Sequence, residues 1–425
     1  MLVQLILKNF KIFKEETLLD CLPGPINEHK ASLIKDALDG EQFLPVIAIY
    51  GPNGGGKSTV LYGLRFLTDL LTAARPETVA SRPVHHRMSP VCSGMPSEFD
   101  VLYRHRGFLF RYQLRLLKGI IAEETLFYGR VGKDDAGILF NRKESDFHLG
   151  KIVSSCPVNH VSPSEPLLSL LARSSQSETI QAAYSWFEET YFLSSSPSDA
   201  PLPKSAEQAG RIGSNICDAI GGNTYGDING NTYGHIGDGI SGGIYGGICK
   251  DICTLLQSMG LDITNIRSVP QGGVTASGLW LTHTPEGSEP YELPYEDESE
   301  GTKKLLSVLP PVIASLKQGS LIVADDLDSR LHPHLLRYII SLYTNAEKNP
   351  HGAQLIFSSH NTAVLMPTVL RRDEIWLCCH PSGEDAQLYP LSWYKKENGL
   401  IPRNDEAYGK QYLEGRYGAS PKITG

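Results

Sequence analysis

Two stretches far apart in this chain carry residue types that together can handle a triphosphate. Gly51-Pro52-Asn53-Gly54-Gly55-Gly56-Lys57-Ser58 satisfies the spacing G-x-x-x-x-G-K-[ST]. Its glycines let the backbone turn tightly, so that several N–H groups between Asn53 and Thr59 converge on phosphate oxygens. Lys57 adds a positive point charge, and the Ser58 hydroxyl is a ligand type suited to Mg²⁺. Downstream, the apolar run Ser320-Leu-Ile-Val-Ala ends in Asp325-Asp326. A carboxylate at Asp325 can hold Mg²⁺ through water or Ser58, and Asp326 stands where a general base or water-orienting group would sit. Gln354 to Ser358 is a second apolar run, closed by Ser359 and His360, which carries an imidazole toward the γ-phosphate. The turn Ser299-Glu300-Gly301-Thr302 offers a hydroxyl and free N–H groups at a helix start, another phosphate-binding device. Each piece alone has a plainer reading: a glycine turn, a helix cap, a structural histidine. Their order and register favour the chemical one.

The elements that must position these residues are legible by pattern. Val46 to Tyr50 is β-branched and apolar, a buried strand; Val60, Leu64, Leu67 and Leu71 have helical spacing. Strand, glycine loop and helix is the setting the motif needs. Leu2 to Phe13 reads as a strand, and Thr72 to Ser97 as a loop. Phe99–Tyr103, Phe108–Leu117, Ile120–Tyr128 and Gly137–Asn141 form an antiparallel meander, and Pro166 to Phe192 is helical. Ile266–Val269, Leu279–Thr282 and Tyr291–Leu293 read as strands returning to a sheet. Lys303 to Leu316 is a helix bent or broken at Pro310-Pro311. A terminal hairpin follows at Glu374–Cys379 and Leu388–Leu391.

Between Arg211 and Thr254 the sequence breaks into tetrapeptides with Ile, or Thr224 and Thr232, at every fourth position, and NTYG occurs at both Asn223 and Asn231. Glycine at this density costs a helix about 1 kcal/mol per residue. The functional reading is a sensor or docking loop; the plainer one is an expanded repeat tolerated at a surface site. Its flanks, Ile212–Ile220 and Ile248–Leu256, have the pattern of helix.

The 425 residues suffice for two or three domain-sized units with a large core. Hydrophobic content of 41% and charged content of 20% fit a globular protein. The net charge of −8 argues against a surface that coats nucleic acid generally, while leaving a local basic groove open. No apolar run reaches membrane-spanning length and no secretory leader is expected. The eight cysteines make no C-x-x-C pair, so reduced thiols and a cytoplasmic location are expected.

The combination of Asn9-Phe-Lys-Ile-Phe13, GPNGGGKST, ESEGTKKLL from Glu298, LIVADDLDSRLHP, QLIFSSHNT, LRRDEIW and the LEGRYGASP tail resembles the AAA-annotated ATPases with an ABC-type head. These occur in bacterial abortive-infection and anti-phage systems and are distantly similar to SMC and overcoming-lysogenisation-defect ATPases. The resemblance covers about residues 1–140 and 265–421. It implies an α/β fold, an ABC-type P-loop ATPase head with a mixed sheet and antiparallel meander, interrupted by a mainly helical insertion. The expected division is 1–144 for the first half of the head, 145–265 for the insertion with repeat 211–254, and 266–425 for the second half.

By the same resemblance, Asn53, Gly54, Gly55, Gly56, Lys57, Ser58 and Thr59 bind ATP, and Ser58 and Asp325 serve Mg²⁺. Asp326 takes the catalytic position that is usually Glu, and His360 is the switch histidine. Ser299, Glu300, Gly301 and Thr302 stand in for the signature that contacts ATP on a second protomer. Leu327, Asp328 and Ser329 form the D-loop. No glutamine is assigned to the Q-loop. The implied activity is ATP hydrolysis, slow without a partner, by a homodimer or higher homo-oligomer that controls a toxin or nuclease effector encoded nearby. The rival readings are an SMC- or RecF-like DNA clamp, which would add nucleic acid as a partner, and a scaffold that binds ATP without hydrolysing it. A transporter subunit is disfavoured by the long insertion, and a self-contained nuclease by the roughly 65 residues after His360, too few for a further domain of ordinary size.

Overall fold

A computed structural model describes residues 1–154, 156–193, 244–271, 276–380, 385–396 and 399–420. Most of the tetrapeptide repeat, including both NTYG units and Ile212–Ile220, lies outside the described residues. In chain order the chain forms β1 (Leu2–Lys8), β2 (Thr17–Asp20), β3 (Ile34–Lys35), β4 (Gln42–Phe43) and β5 (Val46–Tyr50). Helices α1 (Lys57–Thr72) and α2 (Pro76–Ala80) follow, then β6 (Ser97–His105), β7 (Phe108–Leu117), β8 (Ile120–Arg130), β9 (Gly137–Lys143) and β10 (Asp146–Leu149). Next come α3 (Leu167–Ser174), α4 (Glu178–Glu188), β11 (Tyr191–Leu193), α5 (Ile244–Ser258), β12 (Ile263–Gln271), β13 (Ala276–His283) and β14 (Tyr291–Pro294). The remainder is α6 (Glu300–Gln318), β15 (Leu321–Ala324), α7 (Pro333–Thr344), β16 (Gln354–Ser358), β17 (Ile375–Cys379), β18 (Gln387–Pro390) and α8 (Tyr408–Leu413).

The described residues fall into two compact units. The first gathers those of Met1–Ser195, Ser315–Ser329 and Ile339–Gly425; the second gathers those of Ser196–Ala314 and Arg330–Tyr338.

The first unit holds two large sheets. One is antiparallel throughout, in the order β10-β9-β8-β7-β6-β1-β2, and contains the expected meander. The other runs β11-β15-β16-β5-β17-β18, parallel except for the β17–β18 hairpin. Every residue of β5, β15, β16 and β17 is buried, the pattern of strands covered on both faces. Gln354 joins the two sheets: its side chain accepts from Leu2 N at 2.6 Å and donates to Leu2 O and Leu44 O.

Helices α3 and α4 pack into this unit's core. Trp186 stacks on Tyr103 with ring centroids 4.3 Å apart, and Phe187 sets its edge against Tyr112. Each such buried aromatic contributes about 1.5–3 kcal/mol over exposure. The start of α3 is fastened by Glu124 of β8, which accepts from Leu167 N at 2.7 Å and Leu168 N at 3.0 Å. Tyr112 donates to the same carboxylate, and Arg142 lies 3.6 Å from it. The stretch expected as loop between Thr72 and Ser97 contains α2 and a 3-10 turn at Pro90–Gly94.

In the second unit, β12, β13 and β14 form their own antiparallel sheet. They do not return to either large sheet, contrary to expectation. Cross-strand pairs such as Arg267–Glu292 satisfy this sheet locally. Helix α5 covers the expected helical flank at Ile248–Leu256. Helix α6 runs unbroken through Pro310 and Pro311. An interior proline costs about 3 kcal/mol. Burial of Leu305, Leu306, Leu309, Val312 and Ile313 outweighs two such losses at about 1.5–3 kcal/mol per side chain.

Candidate functional site

Parallel strands expose their carboxyl ends on one edge, and three of those ends carry the predicted chemistry. β5 leads into the glycine loop, β15 into Asp325, and β16 into Ser359 and His360. Because β16 lies between β15 and β5, the three termini are neighbours.

The loop is shaped by what lies beneath it. At Gly51 a Cβ would fall 1.9 Å from the Cys378 carbonyl oxygen of β17, so no side chain fits there. Gly56 has φ +109°, and a Cβ would meet Ile12 at 2.4 Å. The Cys378 thiol donates to Gly55 O at 3.0 Å. Tyr412 of α8 sets its ring edge against Tyr50, the residue before the loop, with centroids 5.9 Å apart. The loop is thus braced by β17 and by the tail.

Lys57 is 5% exposed and folds back on the loop, donating to Gly51 O at 3.0 Å and Pro52 O at 3.3 Å. Burial lowers its pKa, against the opposing pull of Asp326, Cys378, Asp325 and Asp328. Ser58 Oγ donates to Asp325 Oδ1 at 3.0 Å. That carboxylate also takes the hydroxyl of Ser358, whose Oγ in turn accepts from Asp326 N at 2.8 Å. Ser358 therefore spans both acids. A hydroxyl and a carboxylate in contact are hard oxygen donors of the kind Mg²⁺ takes beside phosphate and water. Among the described residues, no group of three or more His, Cys, Asp or Glu gathers to hold a metal ion.

Asp326 has φ +48°, a left-handed backbone that Asp and Asn tolerate best among residues with a side chain. Its Oδ1 lies 3.8 Å from His360 Nε2, and both side chains are exposed at 37% and 47%. Ser329 N donates to Asp326 O at 3.0 Å and Leu327 N to Ser358 O at 3.2 Å, fixing the turn Leu327–Ser329. Asp328 Oδ2 accepts from His360 N at 3.2 Å, while Asp328 Oδ1 is buried and meets no hydrogen-bond partner. Lys57, Ser58, Asp325, Asp326, Asp328 and His360 are brought together as expected.

Ser299 to Thr302 lie in the second unit, at the start of α6. Ser299 is exposed; its Oγ accepts from Thr302 N at 3.1 Å and meets Thr302 Oγ1 at 2.9 Å. Glu300 pairs with Arg330 and with Lys303. Ser358, Cys378 and Tyr412 received no role from the sequence. For Ser358 the available signal was a hydroxyl closing the strand just before His360. The LRRDEIW motif is a clamp: buried Arg371 grips Asp373 with two bonds at 2.9 and 2.7 Å, and Arg372 holds Glu28.

A family model described as "AAA domain, putative AbiEii toxin, Type IV TA system" matches residues 46–213 and 283–366. That span contains the glycine loop, the Ser299 turn, both acids and His360. Solved structures similar to this chain include an SMC head domain from Thermotoga maritima, at 14% identity and TM-score 0.40, covering 92% of this chain and 98% of that one. An Smc head bound to the C-winged helix domain of ScpA matches at 13% identity and TM-score 0.46, with the same coverage of 92% and 98%. An Smc head domain with a coiled coil and joint derived from Pyrococcus yayanosii matches at 11% identity and TM-score 0.44, over 97% and 99%. No curated protein matches the chain.

Proposed function

The chain belongs to this family of AAA domains, and on that premise we propose that it is an ATPase head of the ABC type that works as a nucleotide-driven switch. Two copies pair around ATP, hydrolysis resets the pair, and the cycle controls a partner effector, a toxin or nuclease, in an anti-phage system. The toxin–antitoxin setting named for the family supports the last part. The observation that carries the proposal is the contact of Ser58 with Asp325 at 3.0 Å beside the Asp326–His360 pair. No helix among the described residues is long and apolar enough to cross a membrane.

The chain's own groups divide the work as follows. N–H groups from Asn53 to Thr59 cradle the phosphates, and Lys57 moves from the Gly51 and Pro52 carbonyls to the β- and γ-phosphate oxygens. Ser58 and Asp325 would hold Mg²⁺, whose charge offsets that of the phosphates when it is bound. Asp326 orients a water in line with the γ-phosphorus and accepts its proton. The water oxygen bonds to phosphorus as the bond to the bridging oxygen breaks, and ADP leaves with that electron pair. His360, next to Asp326, contacts the γ-phosphate and reports its loss. Ser299 to Thr302 of a second copy complete the site from the far side.

Asp326→Asn tests the reading. Asparagine accepts the left-handed backbone, so the change removes the base and little else. Single-turnover hydrolysis should fall by about a hundredfold or more, while ATP with Mg²⁺ should double the mass seen by light scattering. Hydrolysis at the parent rate, or a single-chain mass with ATP bound, would overturn the assignment.

A further inference from the structure

In the second unit one imidazole is held by two carboxylates. His283 ends β13, with Nδ1 2.8 Å from Asp262 Oδ1 and Nε2 2.7 Å from Glu298 Oε1. The side chains of His283 and Glu298 are 9% and 5% exposed. A neutral imidazole has one N–H, and two carboxylate acceptors require two, so this geometry is that of an imidazolium. Burial alone would lower the pKa of the ring, but the hydrogen bonds with Asp262 and Glu298 outweigh it and the net value is raised above 6.5. Tyr291 of β14 stacks on the ring at 5.1 Å and 7°. The other charged groups of the surrounding elements are Glu292 of β14, engaged by Arg267 of β12, and the exposed Glu296 and Asp297 ahead of α6.

The second observation is the position of Glu298, immediately before Ser299. Beyond the turn, the helix start is tied down by Lys303, which donates to Glu296 O at 2.9 Å, and by the Glu300–Arg330 pair. Ahead of the turn, Glu298 N donates to Tyr295 O at 3.2 Å, and the His283–Glu298 contact links the Glu298 side chain to the three-stranded sheet.

We propose that His283 is a positioning residue for the Ser299–Thr302 turn: as an imidazolium it fastens Glu298 to β13, and proton loss from the ring loosens the turn. This rests on the reading that Ser299 to Thr302 serve ATP held by a second copy. The raised value sets the sign. The clamp is complete below pH 6.5 and is lost as pH rises through the ring's folded-state pKa. Loss of the proton leaves one of the two carboxylates, each within 2.8 Å of the ring, without its donor.

The test is single-turnover hydrolysis, with the protein in saturating excess over ATP and with excess Mg²⁺, from about pH 6 to about pH 9.5, on the parent chain, His283→Gln and Ser299→Arg, with ATP affinity measured separately. Glutamine carries no charge and has its N–H donors on a single nitrogen, with an oxygen in place of the second ring donor. His283→Gln should be about tenfold slower than the parent at the acid end, the scale of a coupling between separate groups. The two should converge at the alkaline end, where the parent has lost its clamp, with ATP affinity unchanged throughout. Titration of Asp326 or His360 moves both profiles alike, so only the difference between them is read. Parallel profiles, or equal rates at the acid end, would overturn the proposal. An NMR titration of the His283 ring in the parent gives a check that needs no variant, and a value below 6.5 would also overturn it. If Ser299→Arg hydrolyses like the parent, the reading of the turn falls and takes this proposal with it. If Ser299→Arg is inactive and His283→Gln is indistinguishable from the parent, only the role of His283 falls.

Discussion

At the scale of single residues, the departure at Asp326 has a local cause. Its φ of +48° is a conformation that costs most residues with a Cβ about 1–2 kcal/mol. Aspartate suits that backbone and glutamate does not, so the shorter carboxylate goes with the turn that carries it. Two neighbours position it: His360 Nε2 stands 3.8 Å from its carboxylate, and Ser358 Oγ accepts from its N–H. Asp326 was legible because a run of apolar residues ending in two acids is a local signal. Ser358 was not, because its role depends on β16 lying beside β15. A second residue makes a claim about stability. Glu374 is 1% exposed, its Oε1 has no hydrogen-bond partner, and burial pushes its pKa up to about 8. The folded state therefore holds a proton that the unfolded chain releases near 4.5, so folding grows less favourable as pH rises from 4.5 toward 8. Glu374→Gln should flatten the fall of melting temperature across that window, measured by calorimetry. A fall as steep as the parent's would remove Glu374 as its cause.

At the scale of elements, the phosphate loop is held by a strand that the sequence places far from it. β17 pairs with β5, and its Cys378 carbonyl occupies the space a side chain at residue 51 would need. Gly51→Ala should therefore lower ATP affinity by about tenfold or more by displacing the loop backbone, and should lower the melting temperature as well, because the obstructing atom is backbone and cannot swing aside. Titration calorimetry reads the first and a thermal melt the second; unchanged affinity would mean that the loop tolerates the shift. The meander and the strands β5, β15 and β16 were readable because alternation or unbroken apolarity marks them locally. The separate sheet of β12 to β14 was not readable. Short apolar strands specify that they pair, while their partners are set by tertiary packing. That α6 is not broken at its prolines was hidden for a similar reason, since their local cost is fixed and the compensating burial is not visible in the sequence.

At the scale of the whole molecule, the composite site is the central claim. Lys57, Ser58, Asp325, Asp326 and His360 belong to one unit, and the Ser299–Thr302 turn belongs to the other. If each ATP lies between the phosphate loop of one copy and the turn of another, neither half suffices alone. A symmetric pair of heads then carries two equivalent sites. The most direct measurement mixes two inactive chains, Lys57→Ala and Ser299→Arg, and follows single-turnover ATP hydrolysis. A mixed pair rebuilds one intact site, so an equal mixture should recover roughly a quarter of the parent activity per chain, as expected for random two-fold pairing. A mixture as inactive as its two components, with each variant folded, would contradict the composite site and with it the switch.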